Sequence, residues 1–372
     1  MKKMNNLYDE ICILENIISM TNMVCKHSKN KKKVNNFEKY KIEHIVSIKN
    51  KLDSKNYVPG SFNIFMISDP KVRIIMNQSI EDKIINHLVS YYILNKVFEN
   101  TFTNSMIATR KGKGISYGVE LLRKYLNKLK NDNFYVLKLD IKKYFYNINQ
   151  DILKEIIRKK IKDIDAINII ERIIESTNHD YINIEINRLK EEKIKNICDE
   201  NIIDEINKIP EYKKEVGLSI GCMSSQIFGL IYLNELNHYL KEELHLKYVI
   251  NYMDDFIILH KSKNYLYYIL EQIKDKLKEY KLELNLEKSK INSIKNGIDF
   301  VGYKFYIEDK KIIIRLRNRT KKNFIKKVNK VNNLYNLGYI DKKEYDDMMG
   351  SYKSLKKYNR SLYARKILQI QS

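Results

Sequence analysis

The sequence predicts an α+β fold in which a small antiparallel sheet packs on helices, and three observations support this. Two short apolar runs, at residues 248–251 and 256–260, flank a polar stretch at 252–255 and are typical of a β-hairpin. A third β-rich run, at residues 134–139, ends at Asp140. Much of the remaining chain places apolar residues at helical spacing.

The other predicted elements follow in chain order. Leu7, Ile11, Leu14 and Ile18 recur at helical spacing and predict helices in the first fifty residues, where Lys29 and residues 31–33 form a basic loop. Loops are predicted at residues 110–114 and at the glycine-rich start of 217–244, which continues as a helix. Further helices are predicted over residues 80–98, 116–129, 151–176, 265–280 and from 318 onward with a break at Gly338, and strands over 61–67, 297–306 and 311–316.

The composition limits the class of protein. With 372 residues, of which 44% are hydrophobic, the chain can form two or three subdomains that share a core. No run of about 18 apolar residues occurs, and Asp9, Glu10 and Glu15 interrupt the start, so we expect no membrane association and a cytoplasmic location. The four cysteines form no paired motif, which favours reduced thiols over zinc binding or disulfides.

The net charge of +23 favours a polyanionic partner, and nucleic acid is the commonest one. A second interpretation is codon bias, since the chain is rich in the Ile, Lys, Asn and Tyr that AT-rich genomes encode. Charge alone therefore indicates binding and not chemistry.

Two adjacent carboxylates, Asp254 and Asp255, lie between the strands of the predicted hairpin, and Asp140 ends another strand. Buried like charges need a compensating cation, so the three carboxylates could converge on one metal site. Oxygen ligands suit Mg²⁺, and two such ions can activate a 3′-hydroxyl and stabilise a leaving pyrophosphate. The alternative is an ordinary turn, in which Asp is common.

An ordered series of motifs surrounds these carboxylates. Residues 136–145 read VLKLDIKKYF, residues 217–226 read GLSIGCMSSQ, and residues 252–255 read YMDD. Further segments lie at 69–75, 110–114, 284–289 and 297–303. In order and spacing, this series resembles the reverse transcriptases of the group II intron-like class over nearly the whole chain.

The resemblance implies a right-hand polymerase fold with an antiparallel palm sheet packed on helices. Fingers would span residues 1–130, including the N-terminal helices, the basic loop and a triphosphate-contacting strand. The palm would span 131–308, and a basic helical thumb 309–372. Within the palm, residues 178–215 carry ten acidic and seven basic residues. This insertion could bind a dedicated partner or a non-coding RNA, or it could be a tolerated surface loop.

The resemblance also implies an RNA-directed DNA polymerase that adds dNTPs to a primer by two-metal nucleotidyl transfer. Its cofactor would be two Mg²⁺ ions, which Mn²⁺ could replace. Asp140 and Asp254 would bind both metals, with Asp255 as a weaker ligand and Ile141 as a further one. Lys288 would be a general acid, with Lys290 as a nearby competitor for that role.

The implied substrate contacts involve further residues. Lys71 and Arg73, two apart on a strand, would share one face and clamp the triphosphate. Phe145 would exclude ribonucleotides, and Gln226 would orient the nascent base pair. From residue 310 to 330 there are ten Lys or Arg and no Asp or Glu, which suits phosphate contacts. The implied nucleic-acid contacts are Arg110, Lys111, Tyr252, Gly302, Tyr303, Arg315, Arg317, Arg319, Lys321 and Lys322.

The Gly-x-x-x-Ser-Gln form at residues 221–226 resembles the enzymes of diversity-generating retroelements and of antiphage defence. Ser219 and Cys222 depart from the usual Pro and Asn of this loop. Expected partners are an RNA template or non-coding RNA, a DNA primer and product, dNTPs, and an accessory protein or second copy. Three alternatives stay open: template-independent or protein-primed synthesis by the same site, a non-catalytic RNA-binding scaffold, and a structural or partner-binding protein whose charge reflects codon bias. The third does not explain the ordered motif series.

Overall fold

A computed structural model describes residues 3–28, 30–68 and 71–356, with side chains up to residue 350. The strands form three antiparallel sheets, and helices cover most of the rest, as the α+β prediction requires. The helices are α1 (Tyr8–Cys12), α2 (Leu14–His27), α3 (Lys31–Lys39), α4 (Lys41–Asp53), α5 (Ile80–Leu88), α6 (Lys96–Phe98), α7 (Ile115–Leu129), α8 (Tyr144–Asn147), α9 (Gln150–Arg158), α10 (Ile164–Glu175), α11 (Tyr181–Lys195), α12 (Glu200–Asn207), α13 (Met223–Tyr232), α14 (Asn234–His238), α15 (Lys263–Glu279), α16 (Asn318–Asn336) and α17 (Lys342–Lys356).

The strands pair into sheets of two, four and three. They are β1 (Asn63–Ile67), β2 (Arg73–Asn77), β3 (Tyr135–Asp140), β4 (Tyr248–Tyr252), β5 (Asp255–His260), β6 (Lys290–Ser293), β7 (Ile298–Phe300), β8 (Tyr303–Glu308) and β9 (Lys311–Leu316). The central sheet has the order β4-β5-β3-β6, while β1-β2 and β7-β8-β9 form the other two. The sequence did not indicate β6, because this short edge strand is polar and partly exposed.

Both faces of the central sheet are covered. Phe256 and Ile258 of β5 pack in one cluster with α13 and α15, whereas Ile257 and Leu259 pack in another with α7 and β8. Burial on both sides explains why this strand is a continuous apolar run without alternation. Although α7 lies within the predicted fingers segment, it packs on this sheet, and the fingers–palm division stays a prediction.

The N-terminal helices are confirmed, with two corrections. Residues 31–33 do not form a loop but the first turn of α3, because the Asn30 side chain caps the helix by accepting from the Lys33 N–H at 3.1 Å. Lys29 lies outside the described residues. The predicted helix over 80–98 is continuous, but residues Val89–Asn95 adopt a π-helical conformation.

The predicted helix over residues 151–176 is two helices, α9 and α10, with a break between them. Asp163 lies in the break and caps α10 by accepting from the Ala166 N–H at 3.1 Å. Its other oxygen accepts from the Leu7 and Tyr8 N–H groups at 2.7 and 2.9 Å. The break thus ties the N-terminus of the chain to α10.

The insertion at residues 178–215 is not an irregular loop. It forms α11 and α12, which we call the insertion helices, and these pack on the β1–β2 hairpin. Ile182 and Ile186 of α11 are fully buried against Ile64, Ile74 and Met76 of the hairpin. The sequence contains this helical spacing of apolar residues on α11, but the many charged residues around it made it difficult to recognise.

The C-terminal part differs from the predicted strands in one place. The run over 297–306 is divided by a turn at Val301 and Gly302 into β7 and β8. The helical tail with its break near Gly338 is confirmed as α16 and α17, which share a separate apolar cluster. Residues 357–372 of the predicted thumb lie outside the described part of the chain. No helix in the described ranges is long and apolar enough to cross a membrane.

We predict that Asp163→Ala lowers the free energy of unfolding by about 2–4 kcal/mol at pH 7, because three N–H groups lose a charged acceptor. Burial alone would raise the pKa of Asp163, but these hydrogen bonds outweigh it and lower the pKa. The Asp163 contribution is therefore present above the unfolded pKa of about 3.9 and is lost as pH falls through the lower folded value.

Thermal unfolding of wild type and variant from pH 7 to pH 3 measures the loss of stability. The difference between their unfolding temperatures should decrease below about pH 4. Asp165→Ala is the matched control, since its carboxylate pairs with exposed Lys55. An equal effect of both substitutions, or a gap that widens in acid, would contradict the prediction.

Candidate active site

Three aspartates come together at one end of the central sheet. Asp140 ends β3 and lies directly opposite Asp255, the first residue of β5, in the antiparallel register. Asp254 lies in the tight turn between β4 and β5, and its carbonyl accepts from the Ile141 N–H at 3.3 Å. The segment that ends at Asp140 and the segment at residues 252–255 are thus adjacent in the backbone, as predicted.

The turn requires an unusual backbone conformation at Met253, whose φ of 57° is in the left-handed region. Asn251, fully buried in β4, donates through its side-chain amide to the Met253 carbonyl. Its own amide oxygen accepts from buried Asn237 at 3.3 Å. Sequence reasoning missed this amide pair, and the only signal was a polar residue inside an apolar strand.

The electrostatics of the site are those of crowded acids. Burial raises the pKa of Asp254 to about 6, and repulsion from Asp255 and Asp140 adds to the shift. Burial also raises the pKa of Asp255, against the opposing attraction of Lys138. A cation at this end of the sheet would therefore be stabilised by all three side chains.

Lys288 supplies positive charge next to the aspartates. Its ammonium donates to both carboxylate oxygens of Asp140, at 3.0 and 3.2 Å. The hydroxyl of neighbouring Ser289 donates to the Asp140 carbonyl at 3.5 Å and accepts from the Asp140 N–H at 3.2 Å. Lys290, the alternative general acid, is an exposed residue of β6 paired in register with Lys138.

The donor set fits a hard divalent ion in its chemistry, with carboxylate oxygens and no sulfur or imidazole ligand. Within the described ranges, however, no three acidic, thiol or imidazole side chains are already arranged as a ligand shell. The Lys288 ammonium pairs with Asp140 in this arrangement. Metal binding by Asp140, Asp254, Asp255 and Ile141 therefore stays a prediction.

The residues predicted to hold a triphosphate lie on the β1–β2 hairpin. Arg73 is the first residue of β2 and is exposed, but Lys71 lies in the bend before the strand and is not a strand residue. Neither side chain forms an ion pair or hydrogen bond with another described residue. Asp69 and Pro70 of the same motif lie outside the described residues.

The loop at residues 217–222 lies along β2. The Met76 N–H donates to the Ile220 carbonyl at 2.8 Å, and Gly221 has a φ of 124°. A side chain at Gly221 would approach the Met76 carbonyl to 2.9 Å, so this approach requires glycine. Where a proline is usual, Ser219 instead forms a 3.0 Å hydrogen bond with Ser225, which closes the loop.

Phe145 and Gln226 lie on two helices that contact each other, α8 and α13. Phe145 on α8 is half-buried and lies against Gly229 of α13, where a side chain would be 3.4 Å from its ring. Gln226, also on α13, accepts from the Thr109 hydroxyl at 3.2 Å. Cys222 is buried beneath the loop, with its sulfur 3.9 Å from the Met76 carbonyl.

Two predicted nucleic-acid contacts are corrected. The Arg110 side chain is only 6% exposed, pairs with Glu99 at 2.9 Å, and donates to the carbonyls of Thr103 and Met106 at 2.7 and 2.9 Å. It therefore holds its own loop in place. The Tyr303 side chain is 4% exposed and belongs to the core between β8 and α7. Lys111 is exposed, and Tyr252 is half-buried beside Asp255.

Arg315, Arg317 and Arg319 do not lie on one strand, because β9 ends at Leu316. Arg315 lies over the Tyr306 ring at 5.5 Å, whereas Arg317 lies at the N-terminus of α16 and pairs with Asp299 at 3.1 Å. The Arg317 N–H donates to the Gly302 carbonyl at 3.0 Å. The first turns of α16 carry Arg319, Lys321 and Lys322.

Comparison with known proteins gives one family. The family model described as reverse transcriptase (RNA-dependent DNA polymerase) matches residues 68–305. No curated protein sequence matches the chain.

Among solved structures, apo telomerase from Candida tropicalis, truncated from its C-terminal domain, is 16% identical with a TM-score of 0.45, over 69% of this chain and 55% of that chain. Telomerase from Candida albicans, in complex with a TWJ fragment of telomeric RNA, is 14% identical with a TM-score of 0.46, over 72% and 46%. The chain thus spans about half the length of these two telomerase chains.

We predict that Asp254→Asn stabilises the metal-free protein above pH 6. The pKa of Asp254 is about 6 in the folded protein and 3.8 without the fold. Between pH 3.8 and pH 6 the folded state therefore keeps a proton on Asp254 that the unfolded state has lost. The free energy of unfolding of the wild type therefore falls by at most about 3 kcal/mol as pH rises from about 4 to about 6. Above about pH 6 it stays constant.

Thermal unfolding in a chelator measures this, with exposed Asp275→Asn as the control. The variant should unfold a few degrees above wild type at pH 8, and the difference should shrink toward pH 4. A variant that is less stable than wild type at pH 8 would show that Asp254 is not under electrostatic strain.

Proposed function

The chain belongs to the reverse transcriptase (RNA-dependent DNA polymerase) family, and we propose that it copies RNA into DNA by two-metal nucleotidyl transfer. The observation that carries this proposal is the meeting of Asp140, Asp254 and Asp255 at one end of a sheet, with raised pKa values at Asp254 and Asp255. Mutually repelling acids that stay together are typical of sites that bind cations during catalysis.

Asp140 and Asp254 would hold both Mg²⁺ or Mn²⁺ ions, with Asp255 and the main chain of Ile141 contributing more weakly. Bound there, the ions would supply the charge that activates a 3′-hydroxyl and stabilises pyrophosphate. The aspartates themselves must be ionised, which the raised pKa of Asp254 opposes in the metal-free protein.

Lys288 is proposed as the group that gives a proton to the leaving pyrophosphate. Its contact with both oxygens of Asp140 supports this role, since it puts an ammonium at the edge of the carboxylate cluster. Lys290 has no such contact among the described residues and is the weaker candidate. The assignment predicts that Lys288 leaves Asp140 when substrate is present.

The incoming nucleotide is proposed to lie between the β1–β2 hairpin and α8. Exposed Lys71 and Arg73 would hold its phosphates, and half-buried Phe145 would lie against the sugar and exclude a 2′-hydroxyl. Gln226, on the helix that contacts Phe145, would orient the nascent base pair. The docking of the loop at 217–222 on β2 supports one continuous nucleotide site.

Template and primer are proposed to contact the basic residues that follow the central sheet. Lys111, Tyr252, Gly302, Arg315, Arg317, Arg319, Lys321 and Lys322 are the candidates. Contacts between lysine or arginine and phosphate set affinity and salt dependence without reading sequence. The division into fingers (1–130), palm (131–308) and thumb (309–372) is proposed on the resemblance of the motif series.

The biological setting is proposed to be a diversity-generating retroelement or an antiphage-defence system. The Gly-x-x-x-Ser-Gln form at residues 221–226 supports this, and the Ser219–Ser225 hydrogen bond gives the loop a closure that does not need proline. Synthesis without a template, or from a protein primer, would use the same aspartates and is separated from templated synthesis by experiment.

The test is primer extension by the purified full chain with Mg²⁺, dNTPs and a defined RNA template. We expect a labelled primer to grow into the complement of the template, and Asp254→Asn with Asp255→Asn to reduce extension to background. Asp275→Asn, an exposed aspartate on α15, is the control and should extend as wild type.

Each other outcome has a defined meaning. Growth without a template would replace the templated function by untemplated synthesis. Equal extension by the wild type and the double variant would contradict the proposed site. No extension by the wild type would favour a non-catalytic RNA-binding scaffold.

A further inference from the structure

Residues 178–215 contact three elements of the proposed nucleotide site, namely the β1–β2 hairpin, the start of α8 and the glycine-rich loop. The apolar face of the insertion helices packs on the β1–β2 hairpin, and the Tyr181 hydroxyl accepts from the Phe62 N–H at 2.9 Å. The segment after α12 also reaches α8, since Lys143 donates to the Lys208 carbonyl at 2.6 Å.

Tyr212, at the end of this segment, links the insertion to the glycine-rich loop. Its ring lies 4.8 Å from that of Tyr146, and its hydroxyl donates to the Leu218 carbonyl at 3.1 Å. A side chain at Gly217 would come within 2.8 Å of the Tyr212 ring, so the two pack as closely as possible. Reciprocal hydrogen bonds with Asn183, at 2.8 and 2.9 Å, fix Tyr212 to α11.

The contact at Val72 is the most informative one. The β1–β2 ladder ends at the pair of Ile67 with Arg73, so the Val72 N–H lies beyond the last strand pair. It donates instead to the Glu205 carboxylate of α12 at 3.2 Å. The Val72 side chain packs against the apolar cluster of the insertion helices. Val72 is therefore anchored twice to the insertion.

Anchoring Val72 determines where its neighbours point. Val72 and Ile74 pack in the same apolar cluster, so Arg73 between them projects to the opposite side, while Lys71 lies in the bend just before the strand. Both Lys71 and Arg73 are exposed. The two cations proposed to clamp a triphosphate thus flank a residue that the insertion holds in place.

We infer that the insertion, through Glu205, positions the Lys71–Arg73 segment for binding the nucleotide triphosphate. Glu205 is a positioning residue and does not touch the substrate. The inference rests on the proposed function for the triphosphate, but the anchoring of Val72 can be tested without any enzymatic activity. It gives residues 178–215 a part in nucleotide binding.

The first experiment is limited trypsin digestion of the full chain, with cleavage sites identified by mass spectrometry. The Val72 N–H belongs to the Lys71–Val72 peptide bond, so its hydrogen bond to Glu205 should protect that bond. We expect Glu205→Ala to speed cleavage after Lys71 by about fivefold, the effect of losing one hydrogen bond of ordinary strength at an exposed position.

Two control variants sharpen this digestion. Glu205→Gln keeps an acceptor oxygen and should retain most of the protection. Asp204→Ala removes the adjacent exposed carboxylate, which pairs with Lys208, and should cleave as wild type. Equal cleavage after Lys71 in Glu205→Ala and Asp204→Ala would overturn the inference.

The second experiment measures single-nucleotide incorporation as a function of dNTP concentration. We expect Glu205→Ala to raise the KM for dNTP about threefold to tenfold with kcat nearly unchanged. In an Arg73→Ala background the same substitution should have little further effect, because Glu205 acts through this segment.

A lower kcat with an unchanged KM would overturn the triphosphate role. Faster cleavage of Glu205→Ala with an unchanged KM for dNTP would also overturn the triphosphate role. The Glu205–Val72 contact would then stabilise the hairpin without affecting nucleotide binding. Wild-type protein that extends no primer would contradict the proposed polymerase function, while the digestion would still report whether Glu205 holds Val72.

Discussion

The mutual repulsion of three aspartates at one end of a sheet is the constraint on which the rest of this structure depends. Asp140 and Asp255 face each other across β3 and β5, and Asp254 lies in the turn beside them. Such an arrangement is unfavourable without a cation, as the pKa of Asp254 near 6 indicates. A sheet buried on both faces keeps the carboxylates together, since the backbone cannot relax away from their repulsion.

The surrounding elements place substrate groups around that point. The Asn251–Met253 hydrogen bond stabilises the left-handed turn, while the glycine-rich loop joins α13 to β2. Residues 178–215 contact the hairpin with Lys71 and Arg73, the start of α8 and the glycine-rich loop, so the proposed phosphate and sugar contacts lie on elements that the insertion supports.

The sequence predicted those features that depend on local pattern. The hairpin with its aspartates, the strand before Asp140 and most helices follow from apolar spacing, which burial enforces directly. Features set by distant partners were not predictable: Arg110 points inward because carbonyls of its own loop accept from it, and β6 pairs despite its polar residues. The charges of the insertion hid the apolar spacing of α11, and Lys71 falls just outside β2 because the ladder stops at Arg73.

The most direct test of the metal site is Mn²⁺ binding to the purified full chain, followed by electron paramagnetic resonance with primer, template and a non-hydrolysable dNTP. The account predicts that wild type binds Mn²⁺ in competition with Mg²⁺, and that Asp140→Asn and Asp254→Asn each abolish most of this binding. Lys288→Ala should retain it, because removing the ammonium frees both Asp140 oxygens. Unchanged Mn²⁺ binding by the two aspartate variants would contradict the account.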